Sequence, residues 1–292
     1  MAKEGKDPLI GGQALIEGVM MMGPSAVGIA VRSPDGNILR ERWERVPPNK
    51  RGLWWKIPLV RGLLSLGETL YWGVKALDYS ARVAEPEAKQ SKWEGILMWG
   101  MLGLFVLLFV FIPVRIAQFV VPSSEHFVFN LVVGVIKVIF VLGYIASINL
   151  IPDIRRVFAY HGAEHKVVFA FENGDQLSCD TVMNYPRKHP RCGTSFLFVL
   201  VFFAVIVFVL VDSWVFHGGQ VGVVMRALVH LLLMPLIIGI SYEMIRWSSK
   251  SRLGRIFACP GLLLQVLTTR EPSCEQIEVA VEALKEALHG TA

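Results

Sequence analysis

Two histidines and a glutamate stand within the stretch AYHGAEHKVV, residues 159–168. His161 and His165 are four apart, and Glu164 follows His161 by three. On a helix all three side chains point to one side. The pattern is HxxEH, the reverse of the HExxH zinc motif. Two imidazoles one turn apart can reach a single divalent metal, and the carboxylate beside them can hold and deprotonate a metal-bound water. A catalytic zinc usually takes a third protein ligand. The sequence offers His189 and Cys192 in HPRCGTS, and Glu243 in GISYEMIRW. Glu164 is therefore the expected catalytic base. His161, His165, His189, Cys192 and Glu243 are the candidate metal ligands, and a divalent metal, zinc by motif, is the expected cofactor. Glu17 is a further acidic candidate whose membrane depth the sequence leaves open.

The element that must carry HGAEH is a helix. Pro152 ends the apolar segment before it, and Asp153 can cap a new helix. Asn173-Gly174 is a C-terminal stop. Gly162 inside that helix lowers its propensity by about 1 kcal/mol relative to alanine. It also leaves room for a ligand or a close helix contact.

Of the 292 residues, 53% are hydrophobic and only 18% charged, against about 25% charged in soluble domains. Four segments reach the roughly 20 apolar residues that a bilayer requires: Gly95 to Val121, Phe127 to Ile151, Thr194 to Phe216 and Val224 to Arg246. The connections PSSEH and HGGQVG contain no Lys or Arg. The other flanks do: Lys89 and Lys92; Arg155, Arg156, Lys166, Arg187, Lys188 and Arg191; Arg246, Lys250, Arg252 and Arg255. The positive-inside rule then predicts a multi-pass membrane protein with both termini and the 153–193 loop in the cytoplasm. The polar start, MAKEGKDPLIGGQ, has no apolar core or small-residue cleavage site, so insertion is expected through internal segments. The net charge of +5 reads as inside-positive flanks with affinity for anionic lipid rather than for nucleic acid.

The fold class is accordingly a mainly α membrane protein with four transmembrane helices and smaller appended elements. Residues 1–52 form a small cytoplasmic β element. AVGIAVRSPDGNILRERWERV reads as two strands joined at Pro34-Asp35-Gly36. Residues 53–94 hold an interfacial amphipathic helix and linker, with Arg61, Ser65, Glu68, Lys75, Asp78 and Arg82 in one polar stripe and Trp54, Trp55 and Trp72 at interfacial depth. Residues 95–246 are the four-helix membrane domain. Residues 247–292 are a cytoplasmic segment ending in an amphipathic helix, Glu275 to Leu288, with Ile277, Val281, Leu284 and Leu288 on one face.

Other reactive-looking residues have plainer readings. Arg115, Lys137, Asp212, Arg226 and His230 fall inside spans and are expected to pair with one another, Lys137 with Asp212 being one option. No matching pair of glycine- or proline-broken helices marks a transport path. Cys259-Pro260-Gly261 reads as a turn, and Met20-Met21-Met22 as packing. Cys179, Cys192, Cys259 and Cys274 show no CxxC spacing and are expected to be reduced thiols in a cytoplasm. No phosphate loop, dinucleotide fingerprint or nucleophile elbow is present.

GGQALIEGVMMMGP, YHGAEHKVVFAFE, HPRCGTSFLF, GISYEMIRW and PGLLLQVLTTREP together resemble the YqhQ-like family of bacterial membrane proteins, over about residues 10 to 288. The resemblance implies a domain of unknown function that is described as a predicted metal-dependent enzyme. The family's start has a basic residue after the double methionine, and this chain has Met22 there. Two functions are expected. One is a membrane metal-dependent hydrolase with its site at the cytoplasmic leaflet. The other is a non-catalytic accessory protein docking on a translocase, an insertion factor or a ribosome. Apart from the bilayer and such machinery, no direct nucleic-acid partner is expected.

Overall fold

The computed structural model of the chain describes residues 10–86, 94–121, 126–190, 192–214, 223–248 and 254–288. The flank residues Lys89, Lys92, Arg191, Lys250 and Arg252 and the connection HGGQVG lie outside the described residues, as does most of PSSEH. So do the side chains of Arg226 and Arg255.

Four short strands open the fold: β1 Gly11–Leu15, β2 Gly18–Met22, β3 Ala26–Arg32 and β4 Ile38–Glu44. They pair in sequence order as one antiparallel meander. Alternation with a period of two sorts their side chains onto two faces. Val19, Met21 and Ala30 face one core, and Leu15, Met20, Val27, Ile29 and Val31 the other. The register sets Val19 opposite Ala30 and Met20 opposite Ile29, so each cross-strand pair serves a single core. The methionine run is packing, with Met20 and Met21 fully buried. The Pro34-Asp35-Gly36 turn joins β3 to β4, with Gly36 at φ 84.

Helix α1, Val60–Ala84, covers one sheet face. Part of its polar stripe holds partners. Glu68 binds Arg45 and Arg51, Lys75 lies over the rings of Trp43 and Trp72, and Arg61 pairs with Glu243. The opposite side, with Leu70, Tyr71, Val74 and Leu77, is exposed and apolar, as an interfacial helix requires.

The first span comprises α2 Glu94–Val106, a π-helical turn Leu107–Phe111 and α3 Ile112–Val120, followed by α4 His126–Ile148. The site helix α5, Pro152–Asn173, and the short α6, Cys179–Met183, precede α7 Gly193–Trp214 and α8 Val223–Ser248. Four stretches are long and apolar enough to cross a membrane: Trp99–Val120, Phe127–Ile148, Gly193–Trp214 and Ala227–Ser248. In the third and fourth, Asp212 accepts from His230 Nε2 at 2.9 Å.

Cys259-Pro260-Gly261 is not a turn. It lies inside α9, Gly254–Thr268. Proline breaks helices by removing a donor, but Gly261 lets α9 press onto α7, where a Cβ would sit 2.7 Å from Ser195 Cα. That packing overrides the local signal. The last helix, α10 Cys274–Leu288, packs on the sheet and on α5 and is buried more widely than one amphipathic face, through Ile277, Val279, Ala280, Ala283, Leu284 and Ala287. Gly28 opposite Met21 leaves α10 room to approach the sheet backbone.

The cysteine expectation is corrected in part. α6 and the start of α10 bring the Cα atoms of Cys179 and Cys274 to 5.5 Å, and their sulfurs are bonded, within the range that disulfides occupy. Cys192 and Cys259 are free thiols. Cys274→Ser is expected to destabilise the appended domain by about 2–4 kcal/mol. The check is a lower Tm under non-reducing conditions that disappears when both proteins are reduced.

Candidate metal centre

Helix α5 starts at Pro152, whose missing N–H falls in the first turn where no helical partner exists. Asp153 sits inside that turn, and Ile151 is the capping position. The helix ends at Gly174, φ 73, whose N–H bonds back to Phe171 O at 3.0 Å. Between these ends the helix buries Tyr160, Glu164, His165 and Lys166, an unusual load of polar groups for one helix.

A backbone segment at the end of α9 explains Gly162. The Arg270 carbonyl lies where a Cβ on residue 162 would stand, and Arg270 N–H bonds Phe158 O at 2.8 Å. The same segment presents Thr268 O to His161 Nδ1 at 2.8 Å. A carbonyl only accepts, so Nδ1 carries the proton and, in the neutral ring, Nε2 carries the lone pair. His165 repeats the arrangement, with Nδ1 donating to Arg187 O at 2.6 Å. Its Nε2 is buried and, among the described residues, makes no hydrogen bond of good geometry. The nearest carboxylate oxygen, Glu164 Oε2, is 3.4 Å away.

Cys192, directly before α7, closes the group. Its Sγ is 3.1 Å from His161 Nε2 and accepts from Thr194 N–H at 3.4 Å. His161, His165 and Cys192 each offer one ligand atom, and these atoms lie within 4.8 Å of one another. Metal-ligating histidines usually donate their other ring N–H to a carbonyl or carboxylate, which fixes tautomer and orientation. Both histidines here do so. Two imidazole lone pairs and a thiol, one nitrogen lacking any donor, fit a divalent ion of the zinc class.

Burial pushes the Glu164 carboxyl above its ordinary value of 4.5, against the opposing pull of His161 and His189. Burial also holds His165 and His189 below 6.5. Gly12 of β1 stands against Glu164, where a Cβ would meet Oε1 at 2.7 Å.

Residues 57–290 match the family model described as a protein of unknown function, DUF1385. The chain belongs to this family. It is 34% identical to the uncharacterized protein YqhQ of Bacillus subtilis (strain 168) over an alignment of 311 positions, covering 99% of this chain and 95% of the relative. No solved structure matches. Every side chain of the His-His-Cys group falls within the DUF1385 match, whereas the Gly12 wall lies ahead of it and inside the YqhQ alignment.

The remaining sequence candidates are placed differently. His189 stacks near His165, ring centroids 5.7 Å apart, but its Nε2 lies 3.8 Å from Glu172, and it is not in the close ligand group. Glu243 also stands outside that group and forms a two-pronged ion pair with Arg61, Nε to Oε1 at 2.6 Å. Glu17, in the β1–β2 turn at φ 51, binds Arg156 Nε at 2.6 Å.

Sequence reasoning missed Gln265. This fully buried side chain accepts from His189 N–H at 2.8 Å and donates to His189 O at 2.8 Å and to Ser195 Oγ at 3.0 Å. It thereby clamps the loop leading to Cys192. The signal that could have found it is one glutamine within the apolar run PGLLLQVL.

Proposed function

We propose that this chain is a metal-dependent hydrolase of the bacterial inner membrane. The ion, zinc by donor set, would be held by His161, His165 and Cys192. One observation carries the reading: His161 Nε2, Cys192 Sγ and a buried His165 Nε2 that makes no good hydrogen bond among the described residues converge within 4.8 Å of one another. A docking role on a translocase, insertion factor or ribosome gives no reason to bury such a nitrogen. When bound, the ion would supply Lewis acidity and a water that ionises near neutral pH.

Glu164 is the proton carrier in this reading. Its Oε2 stands beside His165 Nε2, and burial, which raises its proton affinity, makes it a better proton acceptor than a solvated carboxylate. In hydrolysis the water oxygen bonds to the electrophilic centre. Glu164 accepts the water's proton and then delivers it to the leaving group as the scissile bond breaks. Gly12 and Gln265 hold position: the first leaves space for the carboxyl, the second sets the His189–Cys192 loop.

The orientation follows the charge pattern. Arg155, Arg156, Lys166, Arg187 and Lys188 all lie between the second and third spans, which supports an orientation with the site and both termini on the cytoplasmic side. The Cys179–Cys274 bond then faces a reducing compartment, and its state would follow the thiol poise there.

Metal content of the purified protein tests the reading. Wild type is expected to carry one equivalent of zinc or a similar ion. The His161→Ala/His165→Ala variant is expected to carry none, as is Cys192→Ser should the double variant misfold. Glu243→Gln should keep its metal, because Arg61 rather than an ion holds that carboxylate. A folded, metal-free wild type would sink the proposal.

A further inference from the structure

A cavity of about 440 Å³ opens on the metal centre. Glu164, His165, His189 and Cys192 line one part of it. Its other walls come from β1, α1 and the ends of two spans. Phe196 lies at the start of the span Gly193–Trp214, and Tyr242 and Ile245 lie in the last turns of Ala227–Ser248. The cavity therefore sits at the membrane boundary, with apolar Leu66, Phe196 and Ile245 beside polar Ser65, Thr69 and Tyr242. A water-soluble substrate has no use for a wall built from span ends. An amphiphile whose polar group sits at the boundary does.

Charge narrows the class. Arg45 lines the cavity and donates to Glu68 from Nη2 at 2.7 Å. Arg51 donates to both oxygens of the same carboxylate at 2.9 Å. The three side chains are only 12%, 12% and 17% exposed. Two guanidinium groups thus share one carboxylate, so this trio carries one net positive charge in a partly buried place, with Arg45 Nη1 donating to Gly23 O at 2.9 Å. Buried charge needs a counter-charge, and guanidinium recognises phosphate well.

We propose that this cavity takes the headgroup end of an anionic phospholipid from the bilayer, with its phosphate toward Arg45 and its chains along Leu66, Phe196 and Ile245. The inference deepens the hydrolase reading by naming its substrate class, but binding is tested without turnover. The probes are dihexanoyl phosphatidylglycerol, dihexanoyl phosphatidylcholine, glycerol 3-phosphate and inorganic phosphate, titrated by calorimetry into the full chain in detergent. The phosphatidylglycerol is expected to bind saturably, at least about tenfold (about 1.4 kcal/mol) tighter than the other three. Thr69→Trp, at an exposed rim position, and Ile245→Trp should each weaken it by a similar factor while Tm and metal content hold. Arg45→Gln should abolish the preference over phosphatidylcholine.

Phosphatidylglycerol and phosphatidylcholine binding equally would overturn the anionic assignment. Glycerol 3-phosphate or inorganic phosphate binding as tightly as the lipid would assign the site to a soluble phosphate and overturn the lipid. Unchanged binding in both tryptophan variants would place the lipid elsewhere. Lipid binding that survives in a metal-free His161→Ala/His165→Ala protein supports this inference even where the hydrolase reading fails. Metal retention with no lipid binding does the reverse.

Discussion

Gly162→Ala is expected to loosen the fold and the candidate metal centre together. A methyl group at residue 162 would overlap the Arg270 carbonyl oxygen. That atom is backbone, so no side-chain rotation can relieve the clash, and the segment from Thr268 to Arg270 must move away from α5. Overpacking of this kind destabilises by about 1–3 kcal/mol. The displacement would also break the Arg270 N–H bond to Phe158 O and withdraw Thr268 O from His161 Nδ1, both now at 2.8 Å. His161 would lose the acceptor that fixes its tautomer. Loss of such a supporting contact lowers metal affinity by about 10–100-fold. The measurement is Tm together with metal retention during dialysis against a chelator. An alanine variant matching wild type in both would mean that residues 268–270 do not orient His161.

That result would bear on what the sequence could reveal. HxxEH was legible because its spacing is local and one helix brings the three side chains together. Cys192 was legible as a candidate soft donor close to the next span, and the fold brings it beside His161. Glu243 was grouped with the site by membrane depth, which is only one coordinate. It shares a depth with the site, yet Arg61, on a helix far away in sequence, claims its carboxylate. The residues that fix the two histidines were hidden for a different reason. Thr268 and Arg187 act through backbone carbonyls, and a carbonyl leaves no mark on residue type.

The elements around the site divide in the same way. The β3–β4 hairpin showed itself through alternation and a Pro-Asp-Gly turn, and α10 through helical periodicity. What each covers depends on contacts distant in sequence. Cys179 and Cys274 meet across 95 residues, a pairing no spacing rule supplies. Cys259-Pro260-Gly261 misled because local turn chemistry was read where Gly261 instead gives α9 its contact with α7.

Glu164→Gln is expected to make the metal-free protein more stable at neutral pH and, under the hydrolase proposal, to abolish most of the hydrolysis. Below pH 4.5, the ordinary value of a glutamate, the carboxyl is protonated in both the folded and unfolded chain and contributes no pH dependence. Above it, the unfolded chain ionises while burial keeps the folded carboxyl protonated. Wild type therefore loses stability as pH rises from 4.5 to the raised folded value. Glutamine carries no such charge, so the variant lacks this slope. His165 and His189 add an opposite slope, because their burial disfavours protonation as pH falls through 6.5. Both proteins retain those histidines, so that slope largely cancels in the difference. The Tm gap should thus be near zero at pH 4.5, favour glutamine increasingly as pH rises toward the raised folded value, and level off above it. The same substitution removes the proton carrier, which general acid–base catalysis values at about 10²–10⁴-fold, while metal content stays at the wild-type level. Stability gained where activity is lost is the mark of a residue kept for chemistry. A glutamine variant that shows no gain at pH 8 and hydrolyses at the wild-type rate would remove Glu164 from the reaction and leave the His-His-Cys group as a structural metal site.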